Sequence, residues 1–155
     1  MALTTTLGLA RARDAILIAE MSRDLIEHGL GWSWTPARVR QFLSHRDSTV
    51  VVARRDERLA AFALLHVGDT SAHLNLLAVG PEHRRQGLGL RMLDWLCLTA
   101  TESGVFRVDL EVRYRNSGAR AFYERAGFAE TGRTPGYYRG VETALRMTKD
   151  LAHRP

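Results

Sequence analysis

The sequence is poor in cysteine, with Cys97 alone among 155 residues, so no disulfide can form within the chain. Its neighbours are apolar and no histidine or acid stands at a local motif spacing, which predicts a small buried side chain rather than a nucleophile. A run of about 18 apolar residues, which a membrane helix needs, is also missing. Arg11, Arg13 and Asp14 interrupt the first twenty residues and argue against a secretory signal. We therefore expect a cytoplasmic protein that does not enter membranes.

Lysine is almost absent as well, because Lys149 is the only lysine among 22 basic residues. With 17 acidic residues the net charge is +5, which fits RNA, a polyanionic cofactor or solubility alone. The arginines are scattered and form no basic stripe, so nucleic acid is not the expected main partner. Hydrophobic residues at 45% and charged residues at 25% are ordinary for a globular chain, and the length predicts one domain.

Hydrophobic periodicity and turn signals predict four helices and six strands along the chain. The predicted helices are 12–28, a short one after Thr35-Pro36, 87–103 and one from Asn116 to Arg125. The predicted strands are 49–53, 59–67, 72–79, 106–112, 129–131 and 142–148, with a loop over 132–140. This order predicts an α/β (α+β) domain with a mixed, mostly antiparallel sheet of six to seven strands flanked by about four helices.

A glycine-containing segment, Arg84-Arg85-Gln86-Gly87-Leu88-Gly89, follows the strand 72–79 and opens the helix 87–103. Unpaired N–H groups at a helix start favour a phosphate or pyrophosphate, and the glycines let the backbone come close to it. A tight turn that packs the helix on a sheet explains the same residues. No Gly-Lys-Ser/Thr follows, and the third glycine of a dinucleotide fingerprint is missing, so neither of those nucleotide sites is predicted.

A carboxylate and a phenol come from neighbouring elements further along the chain. Glu111 lies on the polar face of the alternating strand 106–112, and Tyr123 lies on the buried side of the helix that Asn116 caps. Such a pair can serve as base and acid. The alternatives are that Glu111 pairs with Arg113 or Arg107 and that Tyr123 only packs in the core.

Together the two segments resemble the GNAT N-acetyltransferase superfamily, and within it the protein N-terminal (ribosomal-protein alanine) acetyltransferases, over residues 72–149. Arg84-x-x-Gly87-x-Gly89 is similar to the acetyl-CoA pyrophosphate loop. Leu110-Glu111-Val112-Arg113, then Asn116, then Phe122-Tyr123-Glu124 with Gly127-Phe128, is similar to the alanine acetyltransferase signature. The resemblance implies a single GNAT domain over 1–155, with a cofactor-binding core at about 72–128 and acceptor-side elements at about 29–45 and 132–140.

The resemblance also implies roles for individual residues. Glu111 matches the base that takes a proton from the ammonium of the acceptor, and Tyr123 matches the acid that protonates the departing thiolate. No metal takes part in this chemistry. The residues implied in binding acetyl-CoA are Leu77, Ala78, Val79, Arg84, Arg85, Gln86, Gly87, Leu88, Gly89, Leu90 and Asn116.

Some positions depart from the family pattern. His73 stands where many relatives carry an acid, and it is interpreted as a substitute base, a substrate contact or a polar residue at a sheet edge. Leu90 replaces a frequent basic residue, which weakens one phosphate contact. Trp32, Trp34, Tyr137 and Tyr138 match acceptor-side elements and, with His73, are candidates for substrate binding; the tryptophans alternatively anchor their loop to the core.

The expected function is direct transfer of acetyl from acetyl-CoA to a primary amine, the α-amine of a protein or peptide N-terminus. One alternative is acetylation of a small amine: an amino acid, an antibiotic or an aminoacyl group. Another is a non-catalytic module that binds acyl-CoA or RNA. The expected partners are acetyl-CoA and an amine acceptor, and the chain is expected to act as a monomer or homodimer.

Overall fold

The structure is a computed structural model and describes residues 4–138, 140 and 142–152. In those ranges the chain forms seven strands, four α-helices and two short 3-10 helices. The helices are α1 (Ala15–Leu25), α2 (Pro36–Ser44), α3 (Leu88–Glu102) and α4 (Ser117–Arg125), with 3-10 turns at Ala12–Asp14 and Pro81–His83. The strands are β1 (Thr5–Leu9), β2 (Ser48–Arg55), β3 (Arg58–Val67), β4 (Ala72–Val79), β5 (Arg107–Arg113), β6 (Ala129–Tyr138) and β7 (Glu142–Asp150).

The strands form one sheet in the order β1-β2-β3-β4-β5-β7-β6. β4 and β5 run parallel, with Ala72 opposite Val108 and His73 opposite Asp109. The pairs β1–β2, β2–β3, β5–β7 and β6–β7 are antiparallel. The predicted fold class, a mixed and mostly antiparallel sheet with four helices, is confirmed.

By its contacts the chain divides into two compact units. Unit one comprises residues 1–66 and 75–96, and unit two comprises 67–74 and 97–155. Unit one contains a buried apolar cluster in which Ile18 of α1, Val39 of α2 and Phe62 of β3 are fully buried. Burying each such side chain contributes about 1.5–3 kcal/mol. Unit two buries Leu110 of β5 with Leu145 and Met147 of β7.

The starts of α2 and α4 are capped by the residues that the sequence predicts. The Thr35 hydroxyl accepts from the Arg38 N–H at 3.3 Å, with Pro36 at the first position of α2. Asn116 Oδ1 accepts from the Ala119 N–H at 3.1 Å at the start of α4. α1 ends at Leu25, three residues before its predicted end, because the N–H groups of Ile26 and Glu27 both donate to the carbonyl oxygen of Ser22.

Two sequence predictions about strands are wrong. β1 was not predicted, and it pairs with β2 at one edge of the sheet. Most of the predicted loop 132–140 belongs to β6 at the other edge, so Tyr137 and Tyr138 lie on a strand; Arg139 of that segment lies outside the described residues. The register shifts between Thr134 and Tyr138, where Pro135 and Gly136 stand. An edge strand tolerates proline because one side of its backbone needs no ladder hydrogen bonds.

The helices in the described ranges include none long and apolar enough to span a membrane. Cys97 is buried on α3, as predicted.

Candidate active site

A histidine and a carboxylate meet on neighbouring strands of unit two. His73 Nε2 lies 3.0 Å from Oε1 and 3.2 Å from Oε2 of Glu111. β4 runs between β3 and β5 in the sheet order, so the interpretation of His73 as a residue at a sheet edge is wrong. The arginines considered as alternative partners of Glu111 contact other acids: Arg107 contacts Asp109, and Arg113 contacts Glu142.

Hydrogen bonding keeps the Glu111 carboxyl ionised despite its partial burial. The hydrogen bond from His73 lowers the pKa of Glu111, whereas desolvation opposes this, and the charges of His73 and Arg146 lower the pKa further. Arg146 is the register partner of Glu111 on β7. A half-buried carboxylate that stays charged at neutral pH can accept a proton or hold a cation.

Two phenols of β6 stand near the carboxylate. Burial raises the pKa of Tyr137, and the charge of Glu111 and a hydrogen bond to that carboxylate raise it further. Burial also raises the pKa of Tyr138, with contributions from Tyr137 and Glu111. The two rings pack edge to face with centroids 5.0 Å apart. Glu111 therefore has a basic side chain and two phenols as neighbours.

Tyr123 of α4 is buried in an aromatic cluster in the same unit. Its ring packs edge to face against Phe122 and Phe128, with centroids 5.1 and 5.6 Å away, and it is 8% exposed. Burial raises the pKa of Tyr123, and proximity to Tyr138 raises it further. The phenol therefore keeps its proton at neutral pH, and this protonated state is the one that a general acid needs. The core-packing alternative and the acid role both remain compatible with this position.

The glycine-containing segment lies in unit one, and its geometry fits an anion such as a pyrophosphate. Gly87 has φ +76°, and a Cβ placed there would meet no other atom within 4 Å, so the space beside its backbone is open. α3 begins at Leu88, and the N–H groups of a first helical turn have no partners within the helix. Arg84, Arg85, Gln86 and Gly87 are exposed, and Arg84 Nε donates to the carbonyl oxygen of Val79 at 3.1 Å.

One residue that reaches this segment was missed by sequence reasoning. Arg55, at the end of β2, donates from Nη1 to Oε1 of Gln86 at 2.6 Å. The Nε of Arg55 is buried and has no hydrogen-bond partner among the described residues. A separation of 31 residues hides this contact from any local motif.

The aromatic candidates of residues 29–45 are held by unit one itself. Trp32 Nε1 donates to the carbonyl oxygen of Ala19 at 3.0 Å. Trp34 is 8% exposed, its ring packs edge to face on Phe42, and the Arg38 guanidinium lies 3.8 Å from the ring centroid. These contacts favour the anchoring alternative for both tryptophans, and contact with an acceptor stays a prediction.

A group of potential metal ligands was not foreseen. His45, Asp47 and His66 in unit one each offer one ligand atom, and these atoms lie within 4.8 Å of one another. His45 Nδ1 already accepts a hydrogen bond from the Asp47 N–H at 3.2 Å. Two of the three residues are exposed.

Residues 18–128 match the acetyltransferase (GNAT) family. The chain belongs to this family. The GNAT match includes β4, the glycine-containing segment, β5 and α4 in one continuous stretch. The chain is thus an acetyl-transferring enzyme, and the resemblance found in its motifs is confirmed.

Among GNAT relatives, the ribosomal protein bS18-alanine N-acetyltransferase of Salmonella typhimurium is 40% identical over 100 residues, which are 63% of this chain and 68% of that protein. The enzyme of the same name from Escherichia coli K12 is 41% identical over 98 residues, which are 61% of this chain and 66% of that protein. The aligned region thus spans about two thirds of these relatives' lengths.

Solved structures of GNAT enzymes also resemble this chain. The ribosomal-protein-S18-alanine N-acetyltransferase from Escherichia coli matches 98% of this chain and 97% of its own at 28% identity, with a TM-score of 0.81. Nourseothricin acetyltransferase matches 68% of this chain and 66% of its own at 30% identity, with a TM-score of 0.65. A PaiA N-acetyltransferase from Thermoplasma acidophilum, solved with coenzyme A, shares the fold at 20% identity and a TM-score of 0.79 over 95% of this chain and 99% of its own.

Proposed function

We propose that this chain transfers acetyl from acetyl-CoA to the α-amine of a protein N-terminus that begins with a small residue such as alanine. The observation that carries the proposal is the ionised Glu111 carboxylate beside Tyr137 and Tyr138 in unit two. A carboxylate flanked by aromatic rings suits a primary ammonium group and can also relieve it of a proton. The similarity to bS18-alanine N-acetyltransferases supports the choice of acceptor.

Residues 84–90 are proposed to bind the pyrophosphate of acetyl-CoA. The open space at Gly87 and the first turn of α3 fit its negative charge, and Arg84 and Arg85 add positive charge. Arg55 is added to this set because it contacts Gln86. The backbone of Leu77, Ala78 and Val79 on β4 is proposed to pair with the pantetheine arm and donate to the thioester oxygen. Asn116 is proposed to bind near the sulfur while it caps α4.

Glu111 is proposed to take the proton of the acceptor. An α-amino group has a pKa of about 8, so roughly a tenth of it is already uncharged at pH 7. The carboxylate therefore needs to remove a proton that is only moderately held, directly or through one water. The freed nitrogen then forms the C–N bond with the acetyl carbon.

Tyr123 is proposed to give its proton to the sulfur as the C–S bond breaks. Its raised pKa keeps the phenol protonated until negative charge develops on the leaving thiolate. When bound, acetyl-CoA supplies the activated acyl group, so the chain needs no nucleophile of its own. The acceptor nitrogen loses two protons in all, one to Glu111 before the C–N bond forms and one as the amide forms. The first passes to solvent and the second replaces the phenol proton that Tyr123 gives to the sulfur, which balances the transfer.

The test is mass spectrometry of peptides that differ only in their first residue, each with one internal lysine, after incubation with enzyme and acetyl-CoA. Acetylation at the α-amine of the alanine peptide, with the lysine unmodified, is expected. A peptide with a blocked N-terminus is the matched control and should remain unmodified. Acetylation only of small amines such as free amino acids or an aminoglycoside, included in parallel, would replace the proposed acceptor with a small molecule. No transfer to any amine despite coenzyme A binding would contradict the proposal.

A further inference from the structure

The contact between His73 and Glu111 is specified by the sheet. β4 and β5 are parallel, and His73 is opposite Asp109, so Glu111 lies two residues further along β5 on the same face as Asp109. This register brings His73 Nε2 to within 3.0 and 3.2 Å of both carboxylate oxygens. A donor shared between both oxygens fixes the orientation of the carboxyl group as well as its charge.

Among the other groups around Glu111, the charge of Arg146 also lowers the pKa of this carboxyl, but by less than the hydrogen bond from His73, and Tyr137 forms a hydrogen bond with it. Arg146 on β7 lies 3.6 Å from Asp109 Oδ2, and Asp109 itself is a like charge on the same strand. Tyr137 and Tyr138 on β6 are neutral phenols with raised pKa values. His73 is the largest single influence that keeps the Glu111 carboxyl charged.

We propose that His73 is a positioning residue that holds the Glu111 carboxylate ionised and aimed, so that it sets the acid limb of the pH–activity profile. The inference rests on the proposed function, in which Glu111 accepts the proton of the amine. His73 lies four residues before Leu77, the nearest residue of β4 proposed to bind the cofactor, so its removal should not weaken acetyl-CoA binding. None of the motifs that identify the family contains this histidine.

The physical argument is the balance between hydrogen bonding and desolvation at a half-buried acid. Without the imidazole, burial would favour the neutral carboxyl, and a protonated carboxyl cannot accept another proton. The fraction of active enzyme would then fall at a higher pH than in the native protein. At pH values above the acid limb, the Glu111 carboxyl is ionised both in the native protein and in a variant without the imidazole. The activities of the two proteins should therefore differ less there.

The test compares His73→Leu, which removes the donor, with His73→Gln, whose side-chain amide can donate from a similar position. We expect the acid limb of kcat to move to higher pH in His73→Leu and to return toward the native position in His73→Gln, with KM for acetyl-CoA unchanged in both. His28→Leu, which removes an exposed histidine of unit one, is the control and should leave the profile in place. Thermal melting checks that each variant is folded.

A second readout does not depend on activity. The ¹³C signal of the Glu111 carboxyl, followed by NMR as pH is lowered, should titrate at higher pH in His73→Leu than in the native protein. Unchanged titration together with an unchanged acid limb would overturn the role of His73. If the titration shifts but no amine is acetylated by the native protein, the contact stands and the proposed function is the part that fails.

Discussion

At the scale of single residues, the surroundings of Tyr123 and Glu111 reinforce the protonation states that a phenol and a carboxyl group have at neutral pH. Tyr123 is enclosed by Phe122 and Phe128, and its pKa is raised by that burial. Glu111 is only half-buried, and hydrogen bonding from His73 is enough to keep it charged. Two groups of unit two are thus in the opposite protonation states that a base and an acid require at neutral pH.

Tyr123→Phe should lower kcat about 100-fold or more, because the phenol proton is lost while the packing of the ring is retained. The affinity for acetyl-CoA should change little. Tyr114→Phe is the matched control, since Tyr114 is a partly exposed ring between Arg120 and Arg133 and has no proposed catalytic role. Steady-state kinetics with isothermal titration of coenzyme A measures both quantities, and an unchanged kcat would remove Tyr123 from the mechanism.

The contact of Glu111 with His73 could not be predicted from the sequence. The alternation of β5 correctly places Glu111 on its polar face, but 38 residues separate the two side chains. Their meeting depends on the parallel register of β4 and β5, and no local pattern encodes that register. The sequence offered the two nearest arginines as alternative partners of Glu111, and in the structure each contacts another acid.

At the scale of elements, the strands and helices with strong local signals were predicted and the sheet edges were not. Thr35-Pro36 and Asn116 mark the starts of α2 and α4, because their side chains cap N–H groups within three residues. β1 and β6 are the outermost strands, where pairing on one side places fewer demands on the sequence. The sequence of β6 predicts a loop because it contains Gly132, Pro135 and Gly136, although the backbone continues as a strand.

The two glycines that flank α3 give a prediction about coenzyme A binding and its matched control. Gly87 before α3 and Gly104 after it both have positive φ, +76° and +89°, and a Cβ at either would meet open space. Alanine at either position should cost a similar amount of stability, roughly 1 kcal/mol, from backbone strain. Only Gly87→Ala should weaken coenzyme A binding, by about tenfold or more, because its Cβ would occupy the approach of the phosphates.

Calorimetric titration of both variants at matched buffer and temperature measures this difference. Equal coenzyme A affinity in Gly87→Ala and Gly104→Ala would contradict the proposal that the glycine-containing segment binds the phosphates. A loss of affinity in both would instead indicate a general effect on α3.

At the scale of the whole molecule, acid should destabilise the protein through carboxyl groups held ionised in the folded state. Asp14 is 3% exposed; its burial raises the pKa, but hydrogen bonds from Arg54 and from the Arg11 N–H outweigh this and lower it overall. A carboxyl whose pKa is lowered on folding contributes stability above its unfolded pKa of about 3.9. That contribution is lost as pH falls through the lower value in the folded protein.

Asp14→Asn should therefore lower the melting temperature at pH 7 and reduce its fall between pH 5 and pH 3, about the range where such carboxyl groups titrate. The salt bridge from Arg54 Nη2 to Asp14 Oδ2, at 2.6 Å, is the contact removed. Asp69→Asn, in an exposed turn, is the control. Calorimetric melting at both pH values checks the result, and a fall as steep as that of the native protein would contradict it.

The single buried cysteine has a practical consequence for studying the enzyme. Cys97 is 8% exposed, so thiol reagents should react slowly with the native protein. Free coenzyme A released during turnover can then be followed with a chromogenic thiol reagent against a low background. A cysteine introduced at an exposed position would likewise take up a fluorophore or spin label selectively. Two such cysteines, one in each compact unit, would allow a distance between the units to be measured in solution.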